Sequence, residues 1–357
     1  MNYRILAINP GSTSTKIAVF ENLKQLFVST IRYSLEELSE YENVIAQFSF
    51  RRESILKALK DNDIALKDIN VIVGRGGLVK PIESGVYEVN DAMLRDLKVG
   101  IGGEHASNLG GIIAHDLAKD IEGCKAYIAD PVVVDELQDV ARISGHPLFE
   151  RKSIFHALNQ KTIARKYAES IKSSYEKLNL IVAHLGGGVS VGVHKMGKVV
   201  DVNDALGGEG PFSPERSGTL PAYDLAKLCF SGKYTLKEVQ KMIVGEGGLI
   251  AYMGTNSFQD VAEKVAEGDA EYTLISEAFA YNVAKSIGAA ATVLSGNVDA
   301  ILLTGGIAHG AEIVEKISKH IRFIAPVKVY PGEDEMAALA ENGHNILIGK
   351  ERAKVYI

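Results

Sequence analysis

The chain opens on two apolar runs separated by a polar turn. Ile5, Leu6 and Ile8 form the first run, and Ile17, Ala18 and Val19 the second. Each is long enough for a buried strand. Asn9, Pro10, Gly11, Ser12, Thr13, Ser14, Thr15 and Lys16 lie between them. The pattern predicts strand, tight turn, strand, with a third strand region over 21–33 on an exposed edge. Residues 35–60 carry Ile45, Phe48, Ile55, Leu56 and Leu59 at roughly helical spacing. A short buried strand over 69–73 runs into Gly74, Arg75, Gly76 and Gly77. Beyond the glycine-rich stretch 99–103, Glu104 and His105 precede an amphipathic helix with Leu109, Ile112, Ile113 and Leu117 on its apolar face. Another strand ends at Asp130, where Pro131 stops any helix. A helix is expected over about 157–172.

The second half repeats the opening pattern. Residues 180–193, LIVAHLGGGVSVGV, again read strand, glycine turn, strand. This is a repeat of architecture rather than of sequence. A duplicated α/β domain, with a hairpin loop from each half facing a shared cleft, explains it; two unrelated hairpins are the alternative. A strand over 199–203 leads into the Gly- and Pro-rich loop 204–217. Short helices are expected over 223–230 and 236–244. Phe279, Val283, Ile287, Ala290 and Leu294 mark a buried helix. A strand over 300–303, the loop Thr304, Gly305, Gly306 and Ile307, and a helix from 311 follow. The last strand, 327–330, ends in the acidic turn Glu333, Asp334 and Glu335 before a final helix.

A length of 357 residues makes two domains the natural expectation. The net charge of -6, without a basic stripe, argues against nucleic acid as a partner. Cys124 and Cys229 are isolated and suit free thiols in a reducing compartment. The chain enters a strand almost at once, and no apolar run reaches the length of a membrane span. The expectation is a soluble, cytoplasmic protein that does not engage a membrane.

Several positions carry candidate chemistry. Gly11 lets the first turn approach a ligand, the hydroxyls of Ser12, Thr13 and Ser14 can donate to phosphate oxygens, and Lys16 adds positive charge. The spacing is not that of a Walker A loop, and an ordinary Ser/Thr hairpin is the alternative. Arg75, at a strand end, can bind an anion or pair with a rim carboxylate. His105, near a helix start, can meet an anion or be structural. Asp130 can orient a substrate or a metal-bound water, or cap a turn. Arg216 is the only basic residue of an open loop, which fits a mobile catalytic arginine or an exposed surface one. The strand, glycine loop and helix around 304–311 suit a nucleotide. The acidic turn suits Mg²⁺, directly or through waters, or a plain helix cap.

INPGSTSTK at 8–16, HLGGGVS at 184–190, ERSG at 215–218 and TGGIA at 304–308, in that order and spacing, resemble the acetate and butyrate kinase family of the actin-like ATPase superfamily. The PGEDEMAALA ending and the compact length resemble its butyrate-directed branch more than its acetate-directed one. The resemblance implies an α/β fold of two duplicated actin-like (ribonuclease H-like) domains around a central nucleotide cleft, residues 1–130 with 335–357, and residues 131–334. It implies reversible phosphoryl transfer between ATP and butyrate or a branched short-chain acid, giving an acyl phosphate and ADP. On that basis Asn9, Ser12, Ser14 and Lys16 lie in the phosphate loop. Arg75 binds the carboxylate or acyl phosphate, and Asp130 sits by the reacting centre. His156 and Arg216 stabilise the transferred phosphoryl group. His184 with Gly186, Gly187 and Gly188 lines the phosphates, while Gly305, Gly306 and Ile307 flank the nucleoside. Asp334 or Glu335 helps hold Mg²⁺, His105 is a further active-site histidine, and the assembly is a homo-oligomer. There are departures: Gly187 stands where acetate-specific members carry Asn, and their Asp-x-Arg adenosine contact is replaced around 257–259. An acetate or propionate kinase of the same family, a non-metabolic actin-like ATPase and a sugar kinase on the same fold are the rival readings. A carboxylate is already a nucleophile near neutral pH, so the chemistry asks for charge stabilisation rather than a strong base.

Overall fold

The computed structural model describes residues 2–357, which form two compact units. The first comprises the described residues up to Val134 together with Asp334–Ile357, and the second Asp135–Glu333.

The first unit is built on a six-stranded sheet. Its strands are β1 (Arg4–Pro10), β2 (Ser14–Glu21), β3 (Lys24–Arg32), β4 (Val71–Arg75), β5 (Val86–Glu88) and β6 (Lys125–Ala129), in the order β3-β2-β1-β4-β6-β5. β1, β2 and β3 form an antiparallel meander, while β4 and β6 join β1 in parallel. β3 alternates exposed and half-buried positions, as an edge strand does. β1 and β4 are buried on both faces, between helices Asn108–Lys119 and Glu335–Leu347, and accordingly read as continuous apolar runs.

The second unit repeats this plan. β7 (Asn179–Leu185), β8 (Val189–Lys195) and β9 (Lys198–Val202) form the meander, and β10 (Ala300–Gly305) and β11 (Val327–Pro331) join β7 in parallel. The order β9-β8-β7-β10-β11 reproduces β3-β2-β1-β4-β6 of the first unit. The duplication expected from the two glycine hairpins is therefore present strand by strand. Helix Ala270–Val293 packs Phe279, Val283 and Ile287 against one face of the sheet. Helix Ala157–Ser170 covers the other face with Ile163, Ala164 and Tyr167.

Backbone approach sets the position of β4. A Cβ on Gly74 would fall on the Gly110 carbonyl, and a Cβ on Gly110 would fall on the Arg75 carbonyl. Helix Asn108–Lys119 thus lies directly on the strand end that carries Arg75, a contact only glycine permits. Gly110→Ala is expected to destabilise the protein by about 1–3 kcal/mol, the usual cost of overpacking, and to displace Arg75. Urea unfolding of the variant measures the first effect.

Candidate functional site

Parallel pairing brings the carboxyl ends of β1, β4 and β6 to one edge of the first sheet. Asn9, Arg75 and Asp130 sit there, the customary ligand edge of an open α/β sheet. Asn9 Nδ2 donates to Glu335 Oε2 at 2.5 Å, and Arg75 Nη1 donates to Asn9 Oδ1 at 3.3 Å. Arg75 Nη1 also lies 3.3 Å from Glu335 Oε2. The rim carboxylate considered for Arg75 therefore exists and is Glu335. These contacts use Nη1 of the arginine and Oε2 of the glutamate only. Asp334 caps the last helix, accepting from the Ala337 N–H at 3.2 Å. Glu333 belongs to the other unit.

Asp130 is buried and has a positive φ of 36°, a sparsely populated conformation for a residue with a side chain. Its Oδ1 accepts from Ser84 Oγ at 2.6 Å and from the Gly85 N–H at 2.8 Å. It caps that turn at the end of β6. His105 Nδ1 lies 2.9 Å from Ser107 Oγ and accepts from the Ser107 N–H at the start of the following helix.

The β1–β2 turn holds Ser12, Ser14 opens β2, and Lys16 is exposed on that strand. A residue that the motif reading passed over supports it from below. Arg51, wholly buried, donates to the carbonyls of Gly11 (2.8 Å), Ser12 (2.9 Å) and Ser14 (3.0 Å) and to Thr15 Oγ1 (3.2 Å). Gln47 Oε1 accepts from its Nε and Nη2, and the Tyr33 ring lies beneath the guanidinium, 4.8 Å from its carbon. Burial lowers the arginine pKa from its ordinary value, with Tyr33 opposing. A signal was available: Arg51 stands four and eight residues before Ile55 and Leu59, on the apolar stripe of its helix.

In the second unit, β7, β10 and β11 run parallel, so His184, Thr304 and Gly305 share an edge with Glu333 just beyond β11. His156, at the N-terminal cap position of helix Ala157–Ser170, stacks on His184 with ring centroids 3.7 Å apart and planes at 9°. His184 Nδ1 lies 2.8 Å from Asn159 Oδ1. Its Nε2 is 2.9 Å from Glu333 Oε1, an ion-pair distance without hydrogen-bond alignment.

The segment 204–217 is not the open loop expected. Ser213 Oγ donates to the Gly187 carbonyl at 2.6 Å, and Arg216 Nη1 donates to the Ala205 carbonyl at 2.7 Å. The guanidinium lies against the β7–β8 turn, where a Cβ on Gly188 would collide with Nη1. Burial lowers the Arg216 pKa from its ordinary value, opposed by Glu215 and Asp204. Glycine at 188 is thus what allows the arginine to reach the turn, and Arg216 is half-buried and held rather than exposed. At the end of β10, Gly305 has φ +90° and its N–H donates to the Gly332 carbonyl at 3.2 Å. Beside it opens a cavity of about 430 Å³, lined by Phe258, Gln259, Gly306, Ile307, Gly310 and Ile313 among others. Phe258 and Gln259 belong to the stretch where the sequence departs from the adenosine-contact pattern.

No group of three or more His, Cys, Asp or Glu side chains able to hold a metal ion occurs among the described residues. No helix among them is long and apolar enough to cross a membrane.

Removing Arg51 leaves the Gly11 and Ser12 carbonyls without this donor and the Ser14 carbonyl with the Gly11 N–H alone, and an unmet buried polar group costs about 1–3 kcal/mol. Arg51→Met is therefore expected to lose at least about 2 kcal/mol of stability by urea unfolding. Amide exchange in the turn should rise beyond what the global loss explains.

Comparison with known proteins adds relatives. The sequence profile described as the acetokinase family matches residues 146–357. Butyrate kinase 2 of Clostridium acetobutylicum is 58% identical over 356 residues, covering 100% of both chains. Butyrate kinase 1 of that organism is 57% identical over 99% of both. Among solved structures, acetate kinase from Porphyromonas gingivalis superposes with a TM-score of 0.79 at 20% identity, over 97% of this chain and 100% of that one. That likeness speaks to the shared fold.

Proposed function

The chain belongs to the acetokinase family, and from that premise we propose that it transfers the γ-phosphoryl group of ATP to butyrate or a branched short-chain acid, forming an acyl phosphate and ADP. The observation that carries this reading is the 58% identity, over the whole chain, to a protein named butyrate kinase. The acid attacks phosphorus in line and needs no base, since its carboxylate is ionised near neutral pH. What the protein supplies is positioning and positive charge.

Arg75 orients the carboxylate through the guanidinium edge that Asn9 and Glu335 leave uncovered. Asp130 holds the neighbouring 84–85 turn at the reacting centre. Ser12, Ser14 and Lys16, with Asn9, bind phosphate oxygens on a turn made rigid by Arg51. His184 and the turn Gly186, Gly187 and Gly188 line the phosphates. His156 and Arg216 donate to the oxygens of the phosphoryl group in transit, and His105 stands near that centre. Gly305, Gly306 and Ile307 flank the nucleoside, and the cavity beside them has the size and apolar lining of a small-ligand site.

Mg²⁺ is the expected ion, and the residues present fit it. Mg²⁺ typically keeps several waters and takes one or two carboxylates plus substrate phosphates, so a preformed cluster is not required. Glu335, whose Oε1 is outside the contacts with Asn9 and Arg75, would hold it, with Asp334 beside it. When bound, the ion neutralises charge on the nucleotide phosphates.

We further infer a homo-oligomer, supported by the exposed apolar side chains of Val140, Ile143, Leu148 and Phe149 on one short segment. The free thiols suit a reducing cytoplasm.

Acyl phosphate formed from Mg-ATP, trapped as the hydroxamate across acids of two to six carbons, tests the proposal. Activity should peak at butyrate or isobutyrate. A peak at acetate keeps the mechanism and rejects the acid, while no product with any acid rejects the reaction. Arg216→Ala should lower kcat by roughly 10³-fold or more, the scale of a transition-state arginine, with a much smaller change in nucleotide affinity. Normal turnover in that variant removes Arg216 from the mechanism.

A further inference from the structure

Behind His156 runs a chain of buried polar side chains that the proposed reaction does not itself use. Ser190, Gly192 and His194 alternate along β8 and share one face of the sheet. Gln160, from the second turn of helix Ala157–Ser170, lies over the gap at Gly192, where a Cβ would fall on its Oε1. Its Nε2 donates to the Ser190 carbonyl at 3.0 Å and to Ser190 Oγ at 2.8 Å. Its Oε1 is 3.0 Å from His194 Nε2, and His194 Nδ1 is 2.7 Å from the Tyr175 hydroxyl. Ser190 Oγ is 2.9 Å from His156 Nδ1. Gln160, Ser190 and His194 are wholly buried, and Tyr175 nearly so.

One member of the chain has no freedom, and it fixes the others. A backbone carbonyl only accepts, so the Gln160 atom facing the Ser190 carbonyl is the amide nitrogen. Oε1 then faces His194 and accepts, which places the proton of that imidazole on Nε2. Its Nδ1 accepts from the Tyr175 hydroxyl. Burial, with Lys161 and Arg165 nearby, holds the His194 pKa well below its ordinary value, consistent with a neutral ring. At the other end, Ser190 Oγ accepts from Gln160 Nε2 at 2.8 Å and from the His156 backbone N–H at 3.5 Å, which take its two lone pairs and leave its own proton for His156 Nδ1. That nitrogen is an acceptor, so the His156 proton resides on Nε2.

We propose that Tyr175, His194, Gln160 and Ser190 form a positioning relay that holds His156 in the Nε2–H tautomer, making its imidazole a hydrogen-bond donor to the transferred phosphoryl group. The tautomer follows from the geometry; the donor role rests on the function proposed above for His156. An unprotonated nitrogen turned toward a phosphoryl oxygen would set two lone pairs against each other. The relay removes that orientation before substrate arrives, so no reorganisation is needed during transfer.

Two-bond ¹H–¹⁵N correlation spectra of the full chain, labelled with ¹⁵N-histidine, test the relay without relying on activity. The His156 signals are assigned by their loss in His156→Gln. The expected result is an undiluted Nε2–H pattern in the native chain at pH 7.5. Ser190→Ala removes the donor to Nδ1, and Gly192→Ala displaces Gln160 without touching either end of the chain. In each, His156 should show nitrogen shifts averaged between the two tautomers. An Nδ1–H or averaged pattern in the native chain overturns the relay, and that measurement needs no variant to fold. So does an undiluted Nε2–H pattern retained in both variants. In the same variants kcat should fall roughly tenfold or more with the KM for ATP within about twofold, given that single preorganised donors contribute about 10²–10³. Unchanged kcat alongside mixed tautomers removes the donor role. A native chain that forms no acyl phosphate yet shows pure Nε2–H refutes the reaction and leaves the relay standing.

Discussion

Parallel pairing of the central strands is the constraint on which the residue groupings at the sheet edge of each unit depend. Asn9, Arg75 and Asp130 are far apart in sequence, and nothing local brings them together. They share an edge because β4 lies between β1 and β6 in parallel register, Ile8 beside Gly74 and Gly74 beside Ile128. The second unit uses the same device, with His184 beside Thr304 and Thr304 beside Tyr330. The antiparallel meander on the other flank then delivers a hairpin turn to the same edge in each unit. Once that arrangement had been duplicated, each unit could acquire its own chemistry at an equivalent place.

The two hairpin turns are held in different ways. The β1–β2 turn is polar and is fixed through its carbonyls by the guanidinium of Arg51. Three carbonyls converge on one buried cation, while the hydroxyls of Ser12 and Thr13 and the Lys16 side chain stay exposed. The β7–β8 turn is nearly all glycine and is fixed by what its missing side chains admit. Gly188 makes room for Arg216, and the Gly187 carbonyl takes the Ser213 hydroxyl. Both are ways of ordering a loop beforehand, so that binding does not bear the whole entropy of fixing it.

Glycine serves the same end inside β8. Without Gly192 there is no space for Gln160 between Ser190 and His194, and the polar chain behind His156 would be broken. The same physical rule that makes an isolated buried amide costly makes this one informative, because every atom of it must find the complementary partner. Close backbone approach at Gly74 and Gly110 plays the corresponding part in the first unit by setting where Arg75 begins.

Local pattern determined much of this protein. Alternating and continuous apolar runs marked the principal strands and longer helices, because burial on one or both faces imposes periodicity. The glycine hairpins revealed the duplication, and the ordered motifs revealed the family, since turn geometry and ligand approach restrict residue type at fixed spacing. Tertiary structure alone decided the pairings. The carboxylate facing Arg75 is Glu335, 260 residues away; the segment carrying Arg216 is tied to a turn near residue 188; Arg51 is a buried support rather than a surface charge. The relay of Tyr175, His194, Gln160 and Ser190 was likewise out of reach. Hydrogen-bond partners are set by distance and direction in space, and a polar residue in an apolar stripe announces only that a partner must exist, not which one.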